Sequence, residues 1–200
     1  QLISQYAYQS GPPQVLQVDF DPLSSEQHLR QAGLPLWGAN RPAILAWWLH
    51  NGSDGSSLVG DAQAGAPLLR VAAQQRGLPL RLPLADLDEQ LLVSPENLSA
   101  NPPAALLQAS TRYGADALLT VQPREADGQW QAQWQLWLGD SREQGTAQGV
   151  DQAALADAVL LAVSQRLAPR FVSRPGAAQG LQLEVQGANL ARYAELQRLL

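Results

Sequence analysis

A Ser/His/Asp triad needs an imidazole, and this sequence offers two, His28 and His50. His28 falls on the polar side of a short helical pattern, the setting of a solvated side chain. His50 closes a Trp-rich apolar run beside Ser53, Asp54, Ser56 and Ser57, so a nucleophile is conceivable there. No nucleophile-elbow pattern accompanies it. Asp19 and Asp21 form a carboxylate pair at the end of an alternating segment. Alternation puts both on one face, which would suit a divalent cation or acid/base work. A polar strand end before Pro22 is the plainer account of the same residues. Asp86, Asp88 and Glu89 make a second acidic cluster, read as a solvated loop. The glycine-rich stretch Gly52–Gly60 superficially resembles a phosphate cradle, yet a Walker loop requires a lysine and the chain has none. No catalytic residue, cofactor site or metal site is therefore expected.

Composition narrows the field further. All 13 basic residues are arginine, scattered singly, against 18 acidic ones, for a net charge of −5. A nucleic-acid binder needs a basic stripe, so no nucleic-acid partner is expected. The absence of cysteine excludes disulfides, thiolate zinc sites and Cys nucleophiles. The most apolar run, 153–163, is interrupted by Asp157 and is too short to span a bilayer, so no membrane insertion of this segment is expected. Methionine is missing as well, so Gln1 is not expected to be a translation start and reads as the product of processing or of a deliberate cut.

With chemistry thin, exposed aromatic residues become the functional candidates. Of the six tryptophans, Trp37 lies in a predicted loop and Trp137 falls on the glutamine side of an alternating strand. On that strand Trp130, Ala132, Trp134, Leu136 and Leu138 share one face, while Gln129, Gln131, Gln133 and Gln135 share the other. Trp37, Trp137, Gln131, Gln133 and Gln135 are thus the candidate partner surface.

The elements that must carry these residues follow from periodicity. Residues 15–20 alternate, with Leu16, Val18 and Phe20 on one face, and a short helix capped by Ser24 or Ser25 follows. Ala43–Leu49 is an apolar run of strand length, buried on both faces, with Trp47 and Trp48 pointing opposite ways. A helix begins at Pro67 and ends at Gly77. Leu78–Leu84 is extended, and residues 86–99 are irregular. A helix spans Ala104–Tyr113. Ala117–Val121 opens a three-stranded meander whose turn is Asp127-Gly128, continuing through the Gln/Trp strand and Gln144–Val150. Asp151 caps a helix over Gln152–Leu167, which Pro169 stops. The expected fold is α/β (α+β): a mixed sheet flanked by helices, with a C-terminal antiparallel meander and a long helix.

The expected organisation is a flexible lead-in over 1–14, a mixed α/β domain over 15–172 and a linker over 173–180. Residues 181–200 read as the strand and helix that open a second, truncated domain. A terminal helix docked on the main sheet is the other reading of that segment.

Gly33-Leu34-Pro35-Leu36-Trp37-Gly38-Ala39-Asn40-Arg41-Pro42 with Trp47-Trp48, then Arg76-Gly77-Leu78-Pro79-Leu80 with Pro83-Leu84, resembles the bacterial family called domain of unknown function 2066. Gly114-Ala115-Asp116-Ala117-Leu118-Leu119 and the Trp-rich hairpin after it resemble the same family, over about residues 15–200. The resemblance implies a signal peptide removed ahead of Gln1 and a periplasmic or envelope location. It supplies no catalytic residues. At the level of topology the chain is also similar to the N-terminal domain of TolB and to outer-membrane activators of peptidoglycan synthases, which are protein-binding modules. The functional expectation is a non-catalytic periplasmic domain that binds another envelope protein. The alternatives are an envelope hydrolase using His50 or the Asp19/Asp21 pair, and a small-ligand sensor.

Overall fold

The computed structural model describes residues 2–38, 40–52 and 55–173. The expectations for 181–200 and for most of the linker lie outside them. The chain divides into two compact units, one of Trp37–Val172 and one of Gln1–Leu36 with Ser173–Leu200.

In the smaller unit, β1 (Ile3–Gln9) and β2 (Val15–Phe20) form an antiparallel ribbon. Residues 3–9, expected as lead-in, are a strand. Their period of two is carried by Ser4, Tyr6 and Tyr8 against Gln5, Ala7 and Gln9, a mixture too polar to announce itself. A register shift between Ile3 and Gln5 marks a bulge. Helix α1 (Pro22–Gln31) follows, capped by Asp21, whose side chain accepts from the Ser24 N–H at 2.8 Å. The cap is thus one turn earlier than Ser24 or Ser25, with Pro22 at the first turn.

Two-residue strands β3 (Leu36–Trp37) and β10 (Val172–Ser173) lie where the chain passes between the units. The larger unit is built on a six-stranded sheet. Its strands are β4 (Ile44–Gly52), β5 (Gly55–Leu58), β6 (Leu80–Arg81), β7 (Ala117–Ala126), β8 (Gln129–Leu138) and β9 (Ser141–Gly149). The order is β5-β4-β7-β8-β9, with β6 also on β4. β4 is parallel to β6 and β7, and the β7–β8–β9 meander is antiparallel, so the sheet is mixed as expected. Asp127 and Gly128, at φ 54° and 71°, make the tight turn between β7 and β8.

Helices cover both faces because β4 is apolar on both. Ile44, Ala46 and Trp48 pack with Leu119, Val121, Trp134 and Leu136 beneath α2 (Ala66–Gln75) and α6 (Gln152–Phe171). The i, i+4 stripe Leu155, Val159, Val163 and Leu167 is buried in this core. Asp157, which interrupts the apolar run 153–163 but lies off this stripe, meets Arg76 at the end of α2 at 2.6 Å. The helix runs two residues past Pro169. A proline this close to the C-terminus removes only one backbone donor from the last turn, which the helix tolerates.

Leu45, Trp47, Leu49, Leu118 and Trp137 form a second core with Leu98 and Leu106. This one lies beneath three short helices, α3 (Leu87–Leu92), α4 (Pro95–Ser99) and α5 (Ala104–Ser110). The stretch 86–99, expected to be irregular, is therefore helical and structural.

Candidate interaction surface

The β7–β8–β9 meander positions the glutamines. Across β8 and β9, Gln131 pairs with Gln148, Gln133 with Thr146, and Gln135 with Gln144. Across β7, Gln133 pairs with Gln122 and Gln131 with Arg124. Because side chains alternate along each strand, all eight residues share the face that also carries Trp137. The helices over that face pack on β4 and on the Leu118–Trp137 end of the hairpin. Toward Gln133, Gln144 and Thr146 the sheet is open, with these three exposed. A shallow concavity there is lined by Gln133, Gln135, Gln144 and Thr146. Arginines order the rim: Arg124 Nη2 donates to Gln131 Oε1 at 3.1 Å, and Arg142 Nε to Gln135 Oε1 at 3.2 Å.

Trp137 does not belong to the exposed part of this face. Its strand parity matches the glutamines, but only 7% of it is exposed, in the core with Leu118 and Leu106. The Arg142 guanidinium lies over its ring at 5.6 Å. Alternation assigns the face correctly, while the helices decide which part of the face is wet. Trp37 is likewise not a free loop aromatic. It stacks on Phe171, with centroids 6.2 Å apart, and packs against the larger core. Arg41 sits over it at 4.7 Å and donates to the Gly77 carbonyl at 2.6 Å. Trp37 and Arg41 of the Leu36–Pro42 stretch thus strap this segment onto the end of α2.

β9 is the last strand on its side of the sheet among the described residues. It pairs with β8 over nine residues without a bulge and contains no proline and no lysine, two common protections of an edge. Gly145 is required by packing rather than by backbone shape. A Cβ there would stand 2.6 Å from the Trp134 ring, which lies across β9 on the α6 side.

The other candidates are scattered. His50, at the exposed end of β4, faces Ser57 across the β4–β5 pairing. It borders a cavity of about 30 Å³ lined mostly by Trp48, Leu49, Val59, Leu69 and Trp130. Asp19 is exposed on β2, while the Asp21 carboxylate is engaged by α1. Hydrogen bonds from Ser24, side chain and backbone, hold that carboxyl below the usual aspartate value. Among the described residues, no group of three or more His, Cys, Asp and Glu could hold a metal ion.

A feature that sequence reasoning placed in solvent is a buried polar network. Glu89, 2% exposed, accepts from the Ala85 N–H at 2.7 Å and the Tyr113 hydroxyl at 2.6 Å, and pairs with Arg112. Asp86 closes a capping box with Glu89 and meets Arg112 at 2.7 Å. The Glu89 N–H and then Arg112 hold the Asp86 carboxyl below the ordinary range. Burial, followed by the hydrogen bond to Glu89, pushes the Tyr113 hydroxyl up. The Leu84 N–H donates to that hydroxyl at 2.8 Å, so the network fixes the chain between β6 and α3. The Asp86-x-x-Glu89 spacing was the available signal, since a residue three positions after an Asp cap returns to the cap.

No family model matches the chain, and no curated protein matches it significantly. Two solved structures are weakly similar. The N-terminal domain of Thermus thermophilus Protein Y aligns at 8% identity and a TM-score of 0.32, over 66% of this chain and 98% of that one. A competence or damage-inducible protein from Enterobacter asburiae aligns at 14% identity and a TM-score of 0.34, over 74% and 93%.

Proposed function

We propose that this protein is a non-catalytic, protein-binding domain of the bacterial cell envelope, acting in the periplasm by docking another envelope protein. The observation that carries the binding role is the open glutamine face of β8 and β9 beside the edge of β9. A neutral, hydrogen-bonding sheet face next to unpaired backbone groups suits an extended partner segment, which adds as a further strand and reads alternate side chains. Trp37 and Trp137 leave the contact surface, because each is packed inward. Gln131, Gln133 and Gln135 remain, with Gln144 and Thr146 of β9 beside them. The periplasmic location rests on the resemblance of the Gly33–Pro42 block and the Gly114–Leu119 stretch to domain of unknown function 2066.

The adaptor reading is favoured over a site centred on His50 by geometry. The cavity beside His50 has about 30 Å³, room for one water, where a drug-sized ligand needs roughly 300 Å³ or more. Asp21 is a helix cap rather than half of a reactive pair.

The test is crosslinking and affinity capture of the full-length protein from its native envelope, comparing wild type with Gln133→Lys/Thr146→Lys. A partner captured by the wild type and lost from the double variant, at unchanged thermal stability, is the expected result. Equal capture by both would remove the β8–β9 face from the proposal. Neutral replacements of His50, Asp19 and Asp21 leave the captured partner and the cellular function intact. Loss of function by a folded His50→Ala variant would favour the hydrolase reading instead.

A further inference from the structure

Two adjacent charges on the edge strand β9 are treated differently by the fold. Glu143, opposite Leu136, points to the α6 side. There Arg170 meets it at 3.3 Å and Arg166 at 3.8 Å. Arg142, opposite Trp137, points to the glutamine side. Its Nε donates to Gln135 Oε1 at 3.2 Å, and its guanidinium lies over the Trp137 ring at 5.6 Å. Both partners are neutral, and both come from β8, on the inner side of β9. Among the described residues no carboxylate pairs with Arg142. The open face it shares along β7, β8 and β9 carries glutamines, Thr146 and Arg124, and no acid. The edge therefore holds one charge that is doubly compensated and one that is oriented but uncompensated.

We propose that the partner segment is an acidic strand, an extended peptide that pairs with β9 and sets an Asp or Glu opposite Arg142. The inference rests on the adaptor reading and adds the charge and register of the partner. A strand added to β9 places its side chains about 5 Å from those directly opposite, within reach of an ion pair across the edge. Gln135 and Trp137 already hold the guanidinium, so little side-chain freedom is lost when the acid arrives. A second copy of β9 does not supply that acid. Glu143 is the only acid of the strand, and it points to the other face, where Arg166 and Arg170 hold it. A polyanion such as a nucleic acid would need a basic stripe. The other arginine of the face, Arg124, is opposite Gln131 and so six residues along β8 from Trp137, roughly 20 Å away. That exceeds the screening length of about 8 Å, and the two arginines act separately.

The probes are three synthetic threonine-rich peptides of about ten residues, identical except for a central Glu, Gln or Lys. Each is titrated into the full chain, and binding is read by NMR at the β9 amides. The Glu peptide is expected to bind several-fold tighter than the Gln peptide, with the Lys peptide weakest, as cross-strand charge pairs dictate. Arg142→Glu is expected to invert the order of the Glu and Lys peptides. Arg142→Gln, a milder change that guards against a misfolded variant, is expected to abolish the preference without inverting it. Arg124→Glu is expected to keep the wild-type order. Equal binding of the three peptides by the wild type would overturn the acidic partner and leave docking at the β9 edge standing. Failure of every peptide to shift the β9 amides would overturn both. A sulfated oligosaccharide that binds at Arg142 as tightly as the Glu peptide, without protecting the β9 amides from exchange, would mean a general anion surface and would also overturn the proposal.

Discussion

The β1–β2 ribbon and the β7–β8 hairpin are the same local object in two different circumstances. Both are antiparallel pairs whose residues alternate between an apolar and a polar face. In the hairpin, α6 lies over Ala132, Trp134 and Leu136, all of which are buried. In the ribbon, Tyr6, Tyr8, Leu16 and Phe20 face outward. Alternation therefore declares that a strand has an inside, but does not provide one. In the hairpin's own unit a long amphipathic helix follows the meander after only Val150 and the capping Asp151, and packs back on it.

The comparison breaks most visibly at Trp134. Trp134→Ala should cost about 3–5 kcal/mol by chemical denaturation, the range for deleting a buried aromatic. Gln133→Ala, one residue away on the open face, should stay within about 0.5 kcal/mol. Similar costs for the two would mean that the hairpin's faces are not differentiated as described. Gly145→Val tests the same core from the neighbouring strand. The added methyls meet the Trp134 ring, and overpacking of this kind costs about 1–3 kcal/mol. A neutral result would mean that Trp134 has room to move.

The ribbon supplies the opposite case. Tyr6 is exposed, so Tyr6→Ala should change stability by no more than about 0.5 kcal/mol. A loss approaching that of Trp134→Ala would mean that the ribbon's apolar face is covered.

The smallest effect is shared by both regions. Asp21 in the ribbon unit and Asp86 in the sheet unit are both held below the ordinary aspartate value by cap hydrogen bonds. A depressed native value means that the unfolded chain takes up protons first. The caps' contribution is therefore present above about pH 4 and lost as pH falls through the lower native values. A modest acid destabilisation, reduced in Asp21→Asn and Asp86→Asn, is expected from unfolding midpoints between pH 5 and pH 2. Stability rising on acidification would contradict the sign.

Much of the larger unit was legible from residues alone. The run Ile44–Leu49 declared a strand buried on both sides, and Asp127-Gly128 declared a hairpin. Leu155, Val159, Val163 and Leu167 declared the face of α6. These signals are local, because each depends on a repeat shorter than the element it describes. Glu89 was not legible by composition. A carboxylate among Asp86 and Asp88 looks solvated, and only the approach of Tyr113 and Arg112 from the turn after α5 makes its burial tolerable. Strand β1 was missed because Gln and Ser interrupt its aromatic positions.

The candidate surface divides in the same way. Sequence parity alone put Gln131, Gln133, Gln135 and Trp137 on one face of β8, since a strand's side chains must alternate. Only tertiary structure decided that α4 and α5 close over Trp137 and leave Gln133 open. Trp37 is the sharper case, since nothing near it in the sequence predicts a stack on Phe171, more than a hundred residues away. Periodicity is set by backbone geometry within a few residues and can be read from the chain. Burial is set by whichever distant element finds room to pack, and the sequence does not say which that will be.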